Sequence, residues 1–182
     1  GQLVRSLPRT DTIDGVSNCI TSPVVDKNGV LYGFPYSSEG ESVTQGPNLL
    51  AYEGNTLKWK YPAHCGEAWN KSPLTVGADG NIYTVTQDSN GGVHLIGLAP
   101  ELAAGQTQPT KVLDISIGGS CASELIAYKD GIAVGGWPTR FYSYGGKFLG
   151  DFPGGWINAD GHTFTTGYVA GLVQSFSITK YD

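Results

Sequence analysis

The sequence is poor in charge, in cysteine and histidine, and in long apolar runs. Charged residues make up 15% of its 182 residues, and the formal net charge is -5. A general nucleic-acid binder needs a basic stripe that releases counterions from phosphates, so we expect no nucleic-acid partner. No run approaches the roughly 18 apolar residues of a membrane span, so we expect no membrane insertion.

Methionine is absent, even at position 1. We therefore expect the chain to be a processed product or a piece of a longer protein. Low charge, together with abundant glycine, serine, threonine and tyrosine, favours an extracytoplasmic protein that is secreted, on a cell surface or in a virion.

The sequence also lacks the common catalytic signatures. It contains no Gly-x-Ser-x-Gly elbow, no His-Glu-x-x-His helix and no phosphate-cradling glycine loop. Its three histidines, His64, His94 and His162, stand in unrelated contexts. Asp26-Lys-Asn-Gly begins like a calcium loop but has no downstream glutamate, and a hairpin turn explains it better. We expect no catalytic residues, no metal site and no cofactor, and the prediction leans away from an enzyme.

What the sequence does contain is a repeated hairpin. Asparagine or aspartate precedes glycine at Asn28-Gly29, Asp79-Gly80, Asp130-Gly131 and Asp160-Gly161, with apolar or β-branched residues on both sides. Such pairs supply the positive φ of a two-residue hairpin turn. The pattern predicts four hairpins with two-residue turns.

A second unit follows the hairpins and consists of a strand, a glycine turn and another strand, as in 49–62 and 140–153. Two hairpins in succession make a four-stranded antiparallel sheet, and one sheet per period of roughly 40 to 50 residues is typical of a β-propeller blade. We predict an all-β propeller of about four blades in a single domain. The expected blades are 20–62, 70–117, 121–153, and 156–182 completed by 1–8.

The last blade is predicted from the two chain ends. Residues 176–182 match Leu49 to Glu53, and residues 1–8 match Gly54 to Pro62. An N-terminal strand that completes the last blade would close the ring and remove free sheet edges. The alternative is that residues 1–8 end a preceding blade of a longer array.

The hairpins resemble the repeats of pyrroloquinoline-quinone-type propellers. Those blades read as Ser-Pro, a strand, an Asp-Gly turn and an apolar-Tyr strand, followed later by a Trp-bearing strand. The match is best at 22–61 and 72–83, with Trp59 at the place of the family's docking tryptophan. The resemblance implies a propeller, and in the family's enzymes a calcium and quinone pocket. The same blade pattern occurs in non-enzymatic scaffold propellers, and we expect this chain to be one of them.

The three cysteines allow at most one internal bridge. Cys19 and Cys121 each precede a turn Asn or Asp by nine residues, and Cys65 lies near the same place after an insertion. Three interpretations stay open: buried packing, a disulfide, for which Cys19 and Cys121 are the candidates, or a metal site with His64.

Three tryptophans, Trp69, Trp137 and Trp156, fall in glycine- or proline-bearing segments between the expected strands. Loop tryptophans suit sugar stacking or protein contacts, and the alternative is that they fill space between blades. Arg140, Tyr36 and His64 are the other candidates for this face.

The sequence thus predicts a non-catalytic binding or scaffold module that engages a protein or glycan through one loop face. Its other expected partners are blades from the parent chain or from a second copy. The alternative function is a divergent quinoprotein-like or carbohydrate-active enzyme fragment.

Overall fold

The computed structural model describes residues 12–13, 16–17, 19–37, 44–45, 48–65, 72–119, 121, 124–135, 138–152, 156–157, 163–166 and 178–181. Within these ranges the chain forms antiparallel strands and no helix. The all-β prediction is therefore confirmed. The same ranges contain no helix of the length and apolarity that a membrane span requires.

Three consecutive sheets each contain a path of four strands in chain order. The first sheet is formed by β3 (Cys19–Val25), β4 (Leu31–Ser37), β6 (Asn48–Glu53) and β7 (Thr56–Pro62), with β5 (Thr44–Gln45) paired to β4. The second is formed by β8 (Leu74–Val76), β9 (Ile82–Gln87), β10 (Val93–Leu98) and β11 (Lys111–Ser116). The third is formed by β12 (Leu125–Tyr128), β13 (Gly131–Val134), β14 (Thr139–Ser143) and β15 (Phe148–Phe152).

Two smaller sheets lie near the ends of the chain. One pairs β1 (Thr12–Ile13) with β2 (Val16–Ser17), and the other joins β16 (Trp156–Ile157), β17 (Thr163–Thr166) and β18 (Ile178–Tyr181). Residues 1–8 and the Asp160-Gly161 turn lie outside the described residues. The closure predicted for the N-terminal strand therefore stays a prediction.

The inner strands of the second sheet, β9 and β10, are buried on both faces because the neighbouring sheets pack on either side. In β9, Ile82 packs with Tyr32 and Trp59 of the first sheet, whereas Tyr83 and Val85 pack with Ile132 of the third. This division follows from the period of two along a strand, which sends successive side chains to opposite faces. The first strand of the second sheet, β8, contacts the first strands of both neighbours, β3 and β12.

Single side chains tie each pair of neighbouring sheets. The Trp59 indole N–H donates to the Pro100 carbonyl over 3.0 Å. The Tyr144 hydroxyl accepts from the Ala78 N–H over 2.9 Å and donates to the Tyr128 carbonyl. Trp59 and Tyr144 each reach from their own sheet to a loop of the second sheet, so these hydrogen bonds fix the sheets relative to each other.

The hairpins differ from the prediction in their turns. At 26–30 the Gly29 N–H donates to the Asp26 carbonyl, and the Asp26 N–H donates to the Val30 carbonyl. Gly29 has a φ of 80°, so the loop is a three-residue type with the left-handed glycine last. The same hydrogen bonds recur at 77–81, 88–92 and 143–147. The predicted two-residue turns at Asn28-Gly29 and Asp79-Gly80 are therefore wrong.

The prediction at Asp130-Gly131 is right in loop length but wrong in position, because the two loop residues are Lys129 and Asp130 and Gly131 begins β13. Tyr128 pairs with Gly131 across a two-residue loop, and Gly131 itself does not have a positive φ. A Cβ at Gly131 would lie 1.9 Å from the Tyr142 carbonyl oxygen. Glycine is needed here because two backbones approach closely.

We expect Gly131→Ala to lower the free energy of unfolding by about 3 kcal/mol, since the clashing atom is backbone and must move with its strand. Gly145→Ala, in the loop between β14 and β15 of the same sheet, is the control. Its Cβ would meet only the Ser143 Oγ at 3.9 Å, so its effect should stay within about 0.5 kcal/mol. Urea unfolding measures both, and equal losses would contradict the close-approach explanation.

Candidate functional site

The candidate site residues of the described part converge on one end of the three sheets. Because the strands are antiparallel, each sheet has a turn end, which carries the loops at 26–30 and 77–81, and an opposite linker end, where the chain passes from one sheet to the next. His64 and Cys65 follow β7 at the linker end, and Cys121 precedes β12 there. Arg140 lies near the start of β14 at the same end.

A disulfide joins the two linkers. Cys65 and Cys121 are bonded, with their Cα atoms 5.6 Å apart. A cysteine forms one disulfide, so the predicted Cys19–Cys121 pairing is wrong. The physical reason is position: Cys19 lies within β3 of the first sheet, whereas the linkers of Cys65 and Cys121 enter and leave the second sheet. Since thiolates bind metals and disulfides do not, these two cysteines form no metal site with His64.

Hydrogen bonds to its backbone groups hold His64 in place. Its carbonyl accepts hydrogen bonds from the Gln87 N–H at 2.7 Å and the Thr86 hydroxyl at 3.1 Å. Its N–H contacts the Thr86 Oγ1 at 3.3 Å, and the next N–H, of Cys65, donates to the Ser72 Oγ at 3.0 Å. The half-buried His64 side chain is thus presented from a rigid backbone.

The structure describes the Arg140 side chain but not the side chains of the aromatic candidates. The half-buried Arg140 guanidinium donates to the Ile117 carbonyl, which ties the third sheet to the linker that carries Cys121. Tyr36 lies opposite Cys19 at the linker end of β4, and Trp156 lies in β16. Their side chains, and the whole of Trp69 and Trp137, lie outside the described residues. The structure therefore brings His64 and Arg140 to one end and leaves the predicted tryptophan face untested.

The turn end carries a cleft of about 500 Å³ between the first and second sheets. It is lined by the 26–28 and 77–81 loops and by Pro100 and Glu101. Two of its three carboxylates accept hydrogen bonds from buried tyrosines: Asp26 accepts from the Tyr32 hydroxyl at 2.9 Å, and Asp79 accepts from the Tyr83 hydroxyl at 2.7 Å. Among the described residues, no group of three or more His, Cys, Asp or Glu side chains is arranged to hold a metal.

Burial raises the pKa of Tyr32 and of Tyr83 well above the ordinary tyrosine value, and the hydrogen bonds to Asp26 and Asp79 raise it further. The unfolded chain loses these protons near pH 10, whereas the folded chain keeps them. Their contribution to stability is therefore complete below about pH 10 and declines as the pH rises above it.

We expect the free energy of unfolding to fall above pH 10, by up to ~1.4 kcal/mol per pH unit for each tyrosine that stays protonated. Tyr32→Phe/Tyr83→Phe should flatten that decline. Urea unfolding between pH 8 and about pH 11 tests this. Parallel declines in the wild type and the double variant would contradict it.

A second charged cluster, which the sequence reasoning missed, lies on the second sheet. The His94 ring contacts the Asp114 Oδ1 at 2.8 Å and the Asp88 Oδ2 at 3.4 Å, and Lys111 pairs with Asp114. Hydrogen bonds from the Gly92 and Asn90 N–H groups lower the pKa of Asp88, and Lys111 lowers that of Asp114. The register between β10 and β11 would have revealed this cluster, but the sequence does not give it. Ile96 is opposite Asp114, and this pairing places His94 diagonally beside Asp114.

The geometry of the described residues supplies a rigid histidine, a bridged pair of linkers and an arginine at the linker end. Comparison with known proteins adds no relative: the chain matches no family model and no curated protein.

Proposed function

We propose that the chain is a non-catalytic β-propeller module that binds a protein or glycan through its linker end. The observation that carries the proposal is the packing of the second sheet, whose strands β9 and β10 are buried against the first and third sheets while β8 contacts β3 and β12. Four-stranded meanders that stack face to face, with their first strands adjacent, are the arrangement of propeller blades.

The docking of Trp59 supports membership in the pyrroloquinoline-quinone-type repeat family. Its indole, only 2% exposed, lies between Tyr32 and the Pro100 carbonyl of the next sheet. This is the role that the resemblance implies for a tryptophan at that position. The repeat serves scaffolds as well as enzymes, so the proposal rests on the blade packing rather than on the family.

The location of the ligand face follows from the loops. In propellers, as in other repeat folds, binding residues sit on loops that the sheets hold in place. His64 and Arg140 lie at the linker end, and Tyr36 lies near the end of its strand there. The Cys65–Cys121 bridge supports an extracytoplasmic site of action, because disulfides persist in oxidising compartments.

Glycan-array and protein-capture binding on the purified chain tests this function. We expect a ligand whose affinity falls at least tenfold in His64→Ala and stays unchanged in Lys147→Ala, a matched control with an exposed side chain at the turn end of the third sheet. Both variants should melt like the wild type. A redox-active quinone and calcium in the purified protein would instead support the quinoprotein-like enzyme, and binding that depends on Lys147 would move the face to the turn end.

A further inference from the structure

The charged cluster around His94 lies at the linker end of the second sheet. β9 begins at the 77–81 loop of the turn end and pairs antiparallel with β10, so the 88–92 loop that joins them lies at the opposite end. His94 is the second residue of β10, and Asp88 begins the loop. A ring on the strand and a carboxylate on the loop therefore meet at this end.

Asp114 fixes the orientation of the His94 ring. Its Oδ1 lies 2.8 Å from the ring Nδ1, and its other oxygen, Oδ2, accepts a hydrogen bond from the Lys111 ammonium group. An ionised carboxylate accepts hydrogen bonds and donates none, so Nδ1 carries the proton of the neutral ring and donates to Asp114. The second ring nitrogen, Nε2, then holds a lone pair.

Asp88 places a second electron-pair donor opposite Nε2. Its Oδ1 accepts from the Asn90 and Gly92 N–H groups, both at 2.8 Å, and these bonds orient the carboxylate on the loop. Its Oδ2 lies 3.4 Å from the His94 Nε2. Two acceptors that face each other repel unless a cation lies between them, and this cation is either a proton or a metal ion.

The separation of 3.4 Å between Nε2 and Oδ2 fits a metal ion better than a proton. An N–H···O hydrogen bond spans about 2.7–3.2 Å, so a proton would hold the two atoms closer together. Zinc binds histidine nitrogen and carboxylate oxygen at about 2.0–2.1 Å, and two such ligands at a tetrahedral angle lie about 3.3–3.4 Å apart. At the right angle of an octahedral or square-planar ion they would lie about 2.9 Å apart. The spacing therefore favours tetrahedral zinc.

We propose that the His94 Nε2 and the Asp88 Oδ2 bind a zinc ion at the linker end, with Asp114 as the positioning residue that holds the imidazole. A carboxylate on the outer nitrogen of a zinc-bound histidine is the usual arrangement in zinc proteins. Asp114 contacts the other ring nitrogen, so the described residues supply two ligands rather than three. The side chains of His94 and Asp88 are 26% and 43% exposed, so water can fill the remaining positions. This site does not depend on the proposed function.

Calorimetric titration of zinc into the purified full chain, first stripped of metal with a chelator, tests the site. We expect saturable binding whose affinity falls at least tenfold in His94→Phe, which keeps a ring, and in Asp88→Asn, which keeps an oxygen for the loop hydrogen bonds. Asp130→Asn is the matched control, because it removes the same charge from an exposed loop residue, and its affinity should stay unchanged. All three variants should melt like the wild type. A dissociation constant weaker than about 1 mM, or an equal loss in Asp130→Asn, would overturn the site.

Nitrogen-15 NMR of the His94 ring in the full chain separates this site from zinc bound elsewhere. Zinc should shift the Nε2 resonance and leave Nδ1 protonated, whereas magnesium, which prefers oxygen ligands, should shift neither. Asp114→Ala should raise the share of the tautomer protonated at Nε2 and weaken zinc binding about 10- to 100-fold. An unchanged His94 spectrum at saturating zinc, or the same shift with magnesium, would overturn the zinc site. An unchanged tautomer in Asp114→Ala would overturn the positioning role of Asp114.

Discussion

Trp59→Ala is expected to lower the free energy of unfolding by about 4 kcal/mol, in the range found for large aromatic residues in cores. Trp59 is 2% exposed and packs on the Tyr32 ring, with the ring centroids 5.7 Å apart. Its truncation opens a cavity between the first and second sheets and leaves the Pro100 carbonyl without the indole donor. Urea unfolding monitored by circular dichroism measures the loss.

Two further variants separate packing from hydrogen bonding. Trp59→Phe keeps an aromatic ring and loses the N–H, so we expect a loss of about 1–2 kcal/mol. Leu57→Ala changes the same strand at a side chain that is 42% exposed, and its effect should stay below about 1 kcal/mol. A loss below 1.5 kcal/mol in Trp59→Ala would show that the first two sheets do not depend on this contact.

Local sequence patterns predicted the strands and their grouping into four-stranded sheets. Alternating apolar residues around glycine turns report the period of a strand, and this signal depends only on near neighbours. The paired strands β8 and β9 around Asp79-Gly80 are an example. The docking role of Trp59 came instead from the resemblance to the pyrroloquinoline-quinone-type repeats, because alternation along a strand marks a residue as buried but does not say what it docks against.

The same patterns could not distinguish the turn types. A left-handed glycine ends a three-residue loop as readily as it completes a two-residue turn. What decides at 26–30 is the Asp26 side chain, whose Oδ1 accepts from the Asn28 and Val30 N–H groups, both at 2.9 Å. At 77–81 glycine stands in the place of Asp26, and Asp79 accepts from the Asn81 N–H instead. The equivalence is visible only in the hydrogen bonds.

The candidate site was less predictable because it depends on how the sheets are placed. Counting residues back from each turn made Cys19 and Cys121 equivalent, yet a bond requires neighbouring linkers rather than equivalent positions. The residue count places Cys65 after an insertion, and in the structure Cys65 is the residue bonded to Cys121. His94 was missed for a similar reason, since its two carboxylate partners come from a turn and from the adjacent strand.

The same bridge leads to the second large effect. Cys65→Ser/Cys121→Ser should lower the free energy of unfolding by about 4 kcal/mol, because a crosslink across a sequence separation of 56 residues limits the unfolded chain. Reduced wild-type protein is the matched control and should lose the same amount. Urea unfolding with and without dithiothreitol measures both losses. Agreement between them assigns the loss to the crosslink, whereas a larger loss in the variant would assign the difference to poorer packing of serine at the buried Cys65 position. If oxidised and reduced protein unfolded at the same urea concentration, the chain would already be restrained at this point without the bond, and the two linkers would be held together by the sheets alone.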